Sequence, residues 1–133
     1  MMLNKLNCPC GLEKTYTNCC LVFHKDIEKV NTAEQLMRSR YSAFTKAMGN
    51  YLLNSHHSST RQLSEKKEIV KWAKSVKWDR LEIISKSNGL STDNMGTVEF
   101  KAYFYEGEKL NFIHENSQFK KENGIWMYLG FVE

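Results

Sequence analysis

Four cysteines carry the most specific chemistry in the chain. Cys8, Cys10, Cys19 and Cys20 follow a C-x-C-x8-C-C spacing, and the remaining sequence has none. Four thiolates complete the tetrahedral shell of a thiophilic ion such as zinc, with Zn–S bonds of about 2.3 Å and no position left open. Pro9, the sole proline, fixes its own φ and favours an extended Cys8, while Gly11 permits the tight turn that brings both sulfurs to one ion. Two other uses of cysteine compete with a metal. A disulfide framework belongs to secreted small domains, yet the first six residues lack the apolar stretch of an export signal. Adjacent Cys19 and Cys20 also strain any bridge between themselves. Reduced core cysteines would be scattered rather than clustered. The spacing therefore predicts a closed, structural zinc centre, Zn2+ held by Cys8, Cys10, Cys19 and Cys20, in a reducing cytoplasm.

At 133 residues, 41% hydrophobic and 26% charged, the chain has room for one domain and a short appendage. No apolar run approaches the ~20 residues of a membrane span. Net charge +4 is mild, and Lys67, Lys71 and Lys74 share one helical face opposite an apolar one, the pattern of a solvated surface helix. Both observations argue against nucleic acid as the partner.

The elements that must position these groups change period midway. After Leu21-Val22-Phe23, expected to pack the metal knuckle onto the body, residues 24–31 read as a polar connector. Thr32 to Gln35 forms a capping box. Met37, Tyr41, Phe44 and Met48 then recur at helical spacing, with Gly49-Asn50 expected as the C-cap. Tyr51 to Leu53 predicts a short second helix, and Glu65 to Ser75 a third with Ile69, Trp72, Ala73 and Val76 buried. Strands are predicted at 78–85, 97–105, 110–121 and 125–132, separated by Asn88-Gly89, Asp93 to Gly96, Glu106 to Lys109 and Asn123-Gly124. Helices followed by a meander predict an α+β layer with helices on one face of an antiparallel sheet.

Cys8-Pro9-Cys10-Gly11, Tyr16 and Cys19-Cys20 resemble the SEC-C zinc motif, with Leu12 and Glu13 where that motif usually has Ser-Gly. Further matches at His24, Met37-Arg38-Ser39-Arg40-Tyr41, His57 with Ser59-Thr60-Arg61, and His114-Glu115 with Ser117 and Phe119 resemble the YchJ-like family of small bacterial proteins. That resemblance implies a SEC-C motif over residues 1–25 and a nuclear transport factor 2-like cone over 26–133, three helices on a curved four-stranded sheet, without an assigned activity. It also implies that the free sheet face is a candidate homodimer surface, and that the motif contacts a protein partner.

The implied cone leaves a hollow between helices and sheet, with Arg38, Arg40, His57 and Glu115 as its candidate binding residues. Strand alternation separates His114 from Glu115, and Glu115 shares parity with Ile113, Ser117 and Phe119. Glu115 is therefore expected inward, in an ion pair with Arg38 or Arg40 that ties helix to sheet. His56 and His57, being adjacent, cannot share a helix face and are expected to cap a helix end. His24 is expected to support the metal site by a hydrogen bond or to lie on the surface. Two functions follow: an interaction or adaptor module presenting the zinc knuckle, or an enzyme or small-ligand binder with Glu115 or His57 as acid/base. A hollow filled by Trp72, Trp78, Phe100 or Trp126 favours the first. An open hollow holding an unpaired carboxylate or histidine favours the second.

Overall fold

The computed structural model describes residues 7–132. In chain order it contains α1 (Cys20–Lys25), α2 (Ala33–Thr45), α3 (Gly49–Asn54), α4 (Lys66–Ser75), β1 (Lys77–Asn88), β2 (Met95–Glu106), β3 (Lys109–Glu122) and β4 (Ile125–Val132). The strands form one antiparallel sheet in sequential order. Helices α2, α3 and α4 cover its concave face, as the change of period predicts. Register shifts in β1 at Trp78/Arg80 and Ile83/Ser85, and in β4 at Leu129 opposite Gln118/Phe119, are bulges that increase local twist and bend the strands.

Helix α2 is the central element. The Thr32 hydroxyl accepts from Gln35 N at 3.1 Å, while the Gln35 side chain reaches one residue past the cap and accepts from Asn31 N. Leu36, Met37 and Tyr41 meet Val98, Phe100 and Ala102 of β2, Phe119 of β3 and Trp126 of β4. Leu36, Phe119 and Trp126 are essentially inaccessible, each burying about 1.5–3 kcal/mol of transfer free energy. Strand β2 shows the alternation that makes this possible: Val98, Phe100, Ala102 and Phe104 point in, and Lys101, Tyr103 and Tyr105 point out.

Two local expectations are corrected. The connector at 24–31 is structured: α1 runs to Lys25, a 3-10 turn spans Ile27–Lys29, and Val30 is buried against the core. Phe23 and Ile27 supply the apolar anchors, so packing overrides the polar composition. Helix α2 also stops at Thr45, before Gly49-Asn50, with Ala47 taking the positive φ of 53°. Gly49 instead opens α3, where an added Cβ would lie 2.6 Å from Val70 Cγ2. Its missing side chain lets α3 and α4 approach closely.

The segment after α3 docks on the edge of β4. His57 N donates to Tyr128 O, and Tyr128 N donates to Ser55 O. These bonds satisfy part of an edge strand that would otherwise be open. Among the described residues, no helix is long and apolar enough to cross a membrane.

Candidate functional site

The knuckle is built by short-range backbone bonds. Cys8 N donates to Lys14 O at 2.7 Å, Gly11 N to Cys8 O, and Cys19 N to Tyr16 O. Gly11 sits at φ 98°, and a Cβ there would lie 3.4 Å from Arg38 Nη1. Glycine thus gives both the turn and the passage for Arg38. The four sulfurs lie within 4.8 Å of one another and are all buried. Cys10 and Cys19 Sγ are 3.6 Å apart, far beyond a disulfide bond. Four sulfurs at about 2.3 Å from one ion stand roughly 3.8 Å from each other, so the arrangement fits a tetrahedral metal site. The sulfurs also shift one another's ionisation. The Cys8 thiol is held far below the ordinary range by its sulfur neighbours Cys10 and then Cys20. Cys10, which Cys20 favours as an anion but Cys8 and burial oppose more strongly, is pushed up to about 12. Cys20, donor to Cys10 and Cys8, is raised further. One thiolate forms readily, and four in this volume require a cation.

One side of α2 locks this knuckle down. Arg38 Nη1 donates to Cys10 O at 2.6 Å while its Nε meets Glu34, which also holds Lys86. Ser42 Oγ lies 3.8 Å from Cys8 Sγ. His24 Nε2 donates to Ser39 O at 2.8 Å, which leaves Nδ1 to accept from Tyr16 OH at 2.7 Å. Burial lowers the His24 pKa, consistent with this neutral tautomer. His24 therefore braces the knuckle against α2 and is not among the four clustered ligand groups.

The other side of α2 faces a cavity of about 230 Å³ between the helices and the sheet. Its walls are aromatic: Tyr41 and Phe44 from α2, Trp72 from α4, Trp78 from β1 and Phe100 from β2. These rings brace one another, Trp72 and Trp78 meeting edge to face at 5.3 Å. Trp78 Nε1 is satisfied by Ala73 O. The hollow is lined by Trp72, Trp78 and Phe100 and stays open, whereas Trp126 packs elsewhere and donates to Asn31 O.

The structure brings Arg40 and Glu115 to this cavity and takes Arg38 and His57 away from it. Residues 38 and 40 lie about 200° apart on a helix, so only one can face the sheet. Arg38 faces the knuckle. Arg40 Nη1 donates to Leu52 O at 2.8 Å and Ser55 Oγ at 2.6 Å, and its guanidinium lies 4.6 Å from the Tyr128 ring centroid. The expected ion pair of Glu115 with either arginine does not form. The Leu52 carbonyl and the Ser55 hydroxyl at the C-terminal end of α3 hold Arg40 instead, a favourable place for a cation. Glu115 has one weak partner, the Ser117 hydroxyl at 3.4 Å, and burial raises its pKa. Burial also lowers Arg40 to about 10.

His57 caps its own turn, as expected of it: Nδ1 accepts from Ser59 N at 3.1 Å, outside the cavity wall. His56, expected like His57 only to cap a helix end, is the histidine that reaches the cavity. It lies on the cavity wall, 5.1 Å edge-to-face from Tyr128, with Nε2 3.0 Å from Thr60 Oγ1. Burial, then the Arg40 and Arg61 charges, depress its pKa to about 4. Nothing in the His56-His57 dipeptide says which ring turns inward; the pairing with Tyr128 decides it. His114 lies on the outer sheet face, 2.7 Å from Glu99.

Residues 32–130 match the family model described as the YchJ middle, nuclear transport factor 2-like domain. A UPF0225 protein of Vibrio vulnificus is 42% identical over 125 residues, covering 92% of this chain and 72% of that protein. A UPF0225 protein of Streptomyces coelicolor is 36% identical over 121 residues, covering 91% and 90%. The solution structure of a SEC-C motif containing protein from Rhodopseudomonas palustris superposes with TM-score 0.80 at 31% identity, covering 95% of this chain and 97% of that one. The crystal structure of a SEC-C motif containing protein from Psychrobacter arcticus gives 0.77 at 31% identity, covering 100% and 84%.

Proposed function

The chain belongs to the UPF0225 family of YchJ-type SEC-C proteins, and for it we propose a small-ligand-binding role, with the cavity as the binding site and the knuckle as a structural zinc centre. One observation carries this reading. The hollow between α2, α4 and the sheet remains open although aromatic side chains line it, and both Arg40 and Glu115 face it without pairing. Buried charges facing a cavity without meeting each other are more costly than useful unless something else meets them. Cys8, Cys10, Cys19 and Cys20 would hold zinc, whose closed thiolate shell supplies folding energy and offers no position to a substrate. The thiols suit a reducing compartment such as the cytoplasm.

Substituting Ala102, a small buried residue of the cavity wall, tests the site. Ala102→Phe fills the space with an aromatic ring. Calorimetry with indole, a neutral flat probe, is expected to show saturable binding to the wild type and at least about tenfold weaker binding to the variant. Circular dichroism would verify that the variant is folded. An absence of saturable binding by the wild type counts against the reading.

A second reading, partner contact through the knuckle, is supported by Leu12 and Val22, which stand 36% and 37% exposed there. It predicts that Leu12→Ser with Val22→Ser abolishes partner recovery while leaving metal content unchanged. Acid–base chemistry in the cavity would fall to Glu115 rather than His57, whose ring lies outside the wall.

A further inference from the structure

Arg40 is 92% buried by its 8% relative exposure, yet its guanidinium is only partly used. Nη1 is bonded to Leu52 O and Ser55 Oγ, whereas among the described residues Nε and Nη2 have no hydrogen-bond partner. No carboxylate of the described residues lies within ion-pair distance of it. With Nη1 occupied, the remaining Nε–Nη2 edge is the side of the fork that receives a carboxylate through two parallel bonds. Since no fully buried side-chain nitrogen of the described residues lacks a partner, these two nitrogens reach accessible space, where an anion would offset the uncompensated charge.

Resting on the reading of the cavity as a ligand site, we infer that its occupant is a small aromatic or flat apolar monocarboxylate, with its carboxylate on Arg40 and its body between the ring walls. Three features restrict the class. The volume of about 230 Å³ lies below the roughly 300–1,000 Å³ of drug-sized pockets. Trp72, Trp78, Phe44 and Phe100 offer flat faces and edges to an aromatic body. Charge is limited to one. Glu115 faces the same space, and a dianion such as a phosphate monoester would meet its carboxylate with a single arginine to compensate. Lys66 and Glu65, also on the wall, add one charge of each sign, and the Lys66 ammonium is turned to Asn50 Oδ1. His56, its pKa depressed to about 4, adds no further positive charge at neutral pH.

The test uses the metal-loaded full chain and matched probes at neutral pH: 3-phenylpropionate, 3-phenylpropanol, phenyl phosphate and indole, each titrated calorimetrically. The carboxylate is expected to bind about tenfold or more tighter than the alcohol, and tighter than phenyl phosphate. Indole N–H resonances of Trp72 and Trp78 should shift on binding, while that of Trp126, outside the wall, stays in place. Arg40→Gln should reduce the carboxylate to the affinity of the alcohol and leave indole binding intact, and Arg40→Lys should recover part of the difference. Should Arg40→Gln fail to fold, the wild-type ratio decides alone. Equal affinity of carboxylate and alcohol, or tighter phenyl phosphate, overturns the inference while indole binding keeps the cavity reading. Failure of all four probes overturns both.

Discussion

The two sides of α2 solve opposite problems. On the knuckle side, Arg38, Ser39 and Ser42 reach Cys10, His24 and Cys8 through short, specific contacts, and the four sulfurs close around one point. On the cavity side, across the helix, Arg40 and the β3 residue Glu115 face the same space and stay out of ion-pair reach. Polar groups that are mutually satisfied make scaffolding; polar groups left partly unused in a buried wall make a binding site. The difference teaches where to look for function: the cluster most conspicuous by composition is closed, and the less conspicuous hollow has capacity to spare.

The largest effect that sharpens this comparison is metal removal. Cys19→Ser with Cys20→Ser should take metal content from about one equivalent to near zero and abolish protection of the knuckle amides in hydrogen exchange, since structural zinc sites supply on the order of 10 kcal/mol to local folding. If the knuckle kept its protection without metal, the scaffolding half of the comparison would be broken. The next effect is His24→Ala. It strips the partner from Ser39 O and Tyr16 OH and removes the edge contact with Tyr51. Urea denaturation should register a loss of about 2–3 kcal/mol.

On the cavity side the expected effects are smaller and depend on pH. With its folded pKa depressed to about 4, His56 binds fewer protons folded than unfolded between there and about 6.5. Its contribution is complete above the unfolded value and is lost as pH falls through the folded one. The loss should be on the order of 1–2 kcal/mol, scaled down because water partly reaches the ring, and His56→Phe should flatten it. Glu115 works in the opposite sense. Burial raises its folded pKa, so the unfolded chain loses its proton first and stability falls as pH rises above about 4.5. Glu115→Gln should remove that fall and raise the melting temperature slightly at pH 7, by less than the His56 effect. A lower melting temperature at neutral pH would mean that Glu115 is a satisfied structural group, and the contrast between the two sides of α2 would weaken.

The cysteine cluster was legible because its geometry is local. Within thirteen residues a proline, a glycine and four cysteines leave few ways to arrange the sulfurs, and Cys8, Cys10, Cys19 and Cys20 do converge. The inward parity of Glu115 was equally readable, since alternation along β3 fixes it relative to Ile113 and Ser117. His56 and the use of Gly49 were not readable, because each depends on what another element presents: Tyr128 at the β4 edge, and Val70 on α4.

By itself, then, the sequence determined the cysteine centre, the change from helix to strand periodicity, and which face of each element is apolar. These follow from spacing along one chain segment. Only the tertiary structure decided that Arg40 and not Arg38 meets the cavity, that α3 rather than Glu115 holds it, and that the hollow stays open. Those outcomes are set by how far apart the packed elements stand, and no local periodicity encodes that distance.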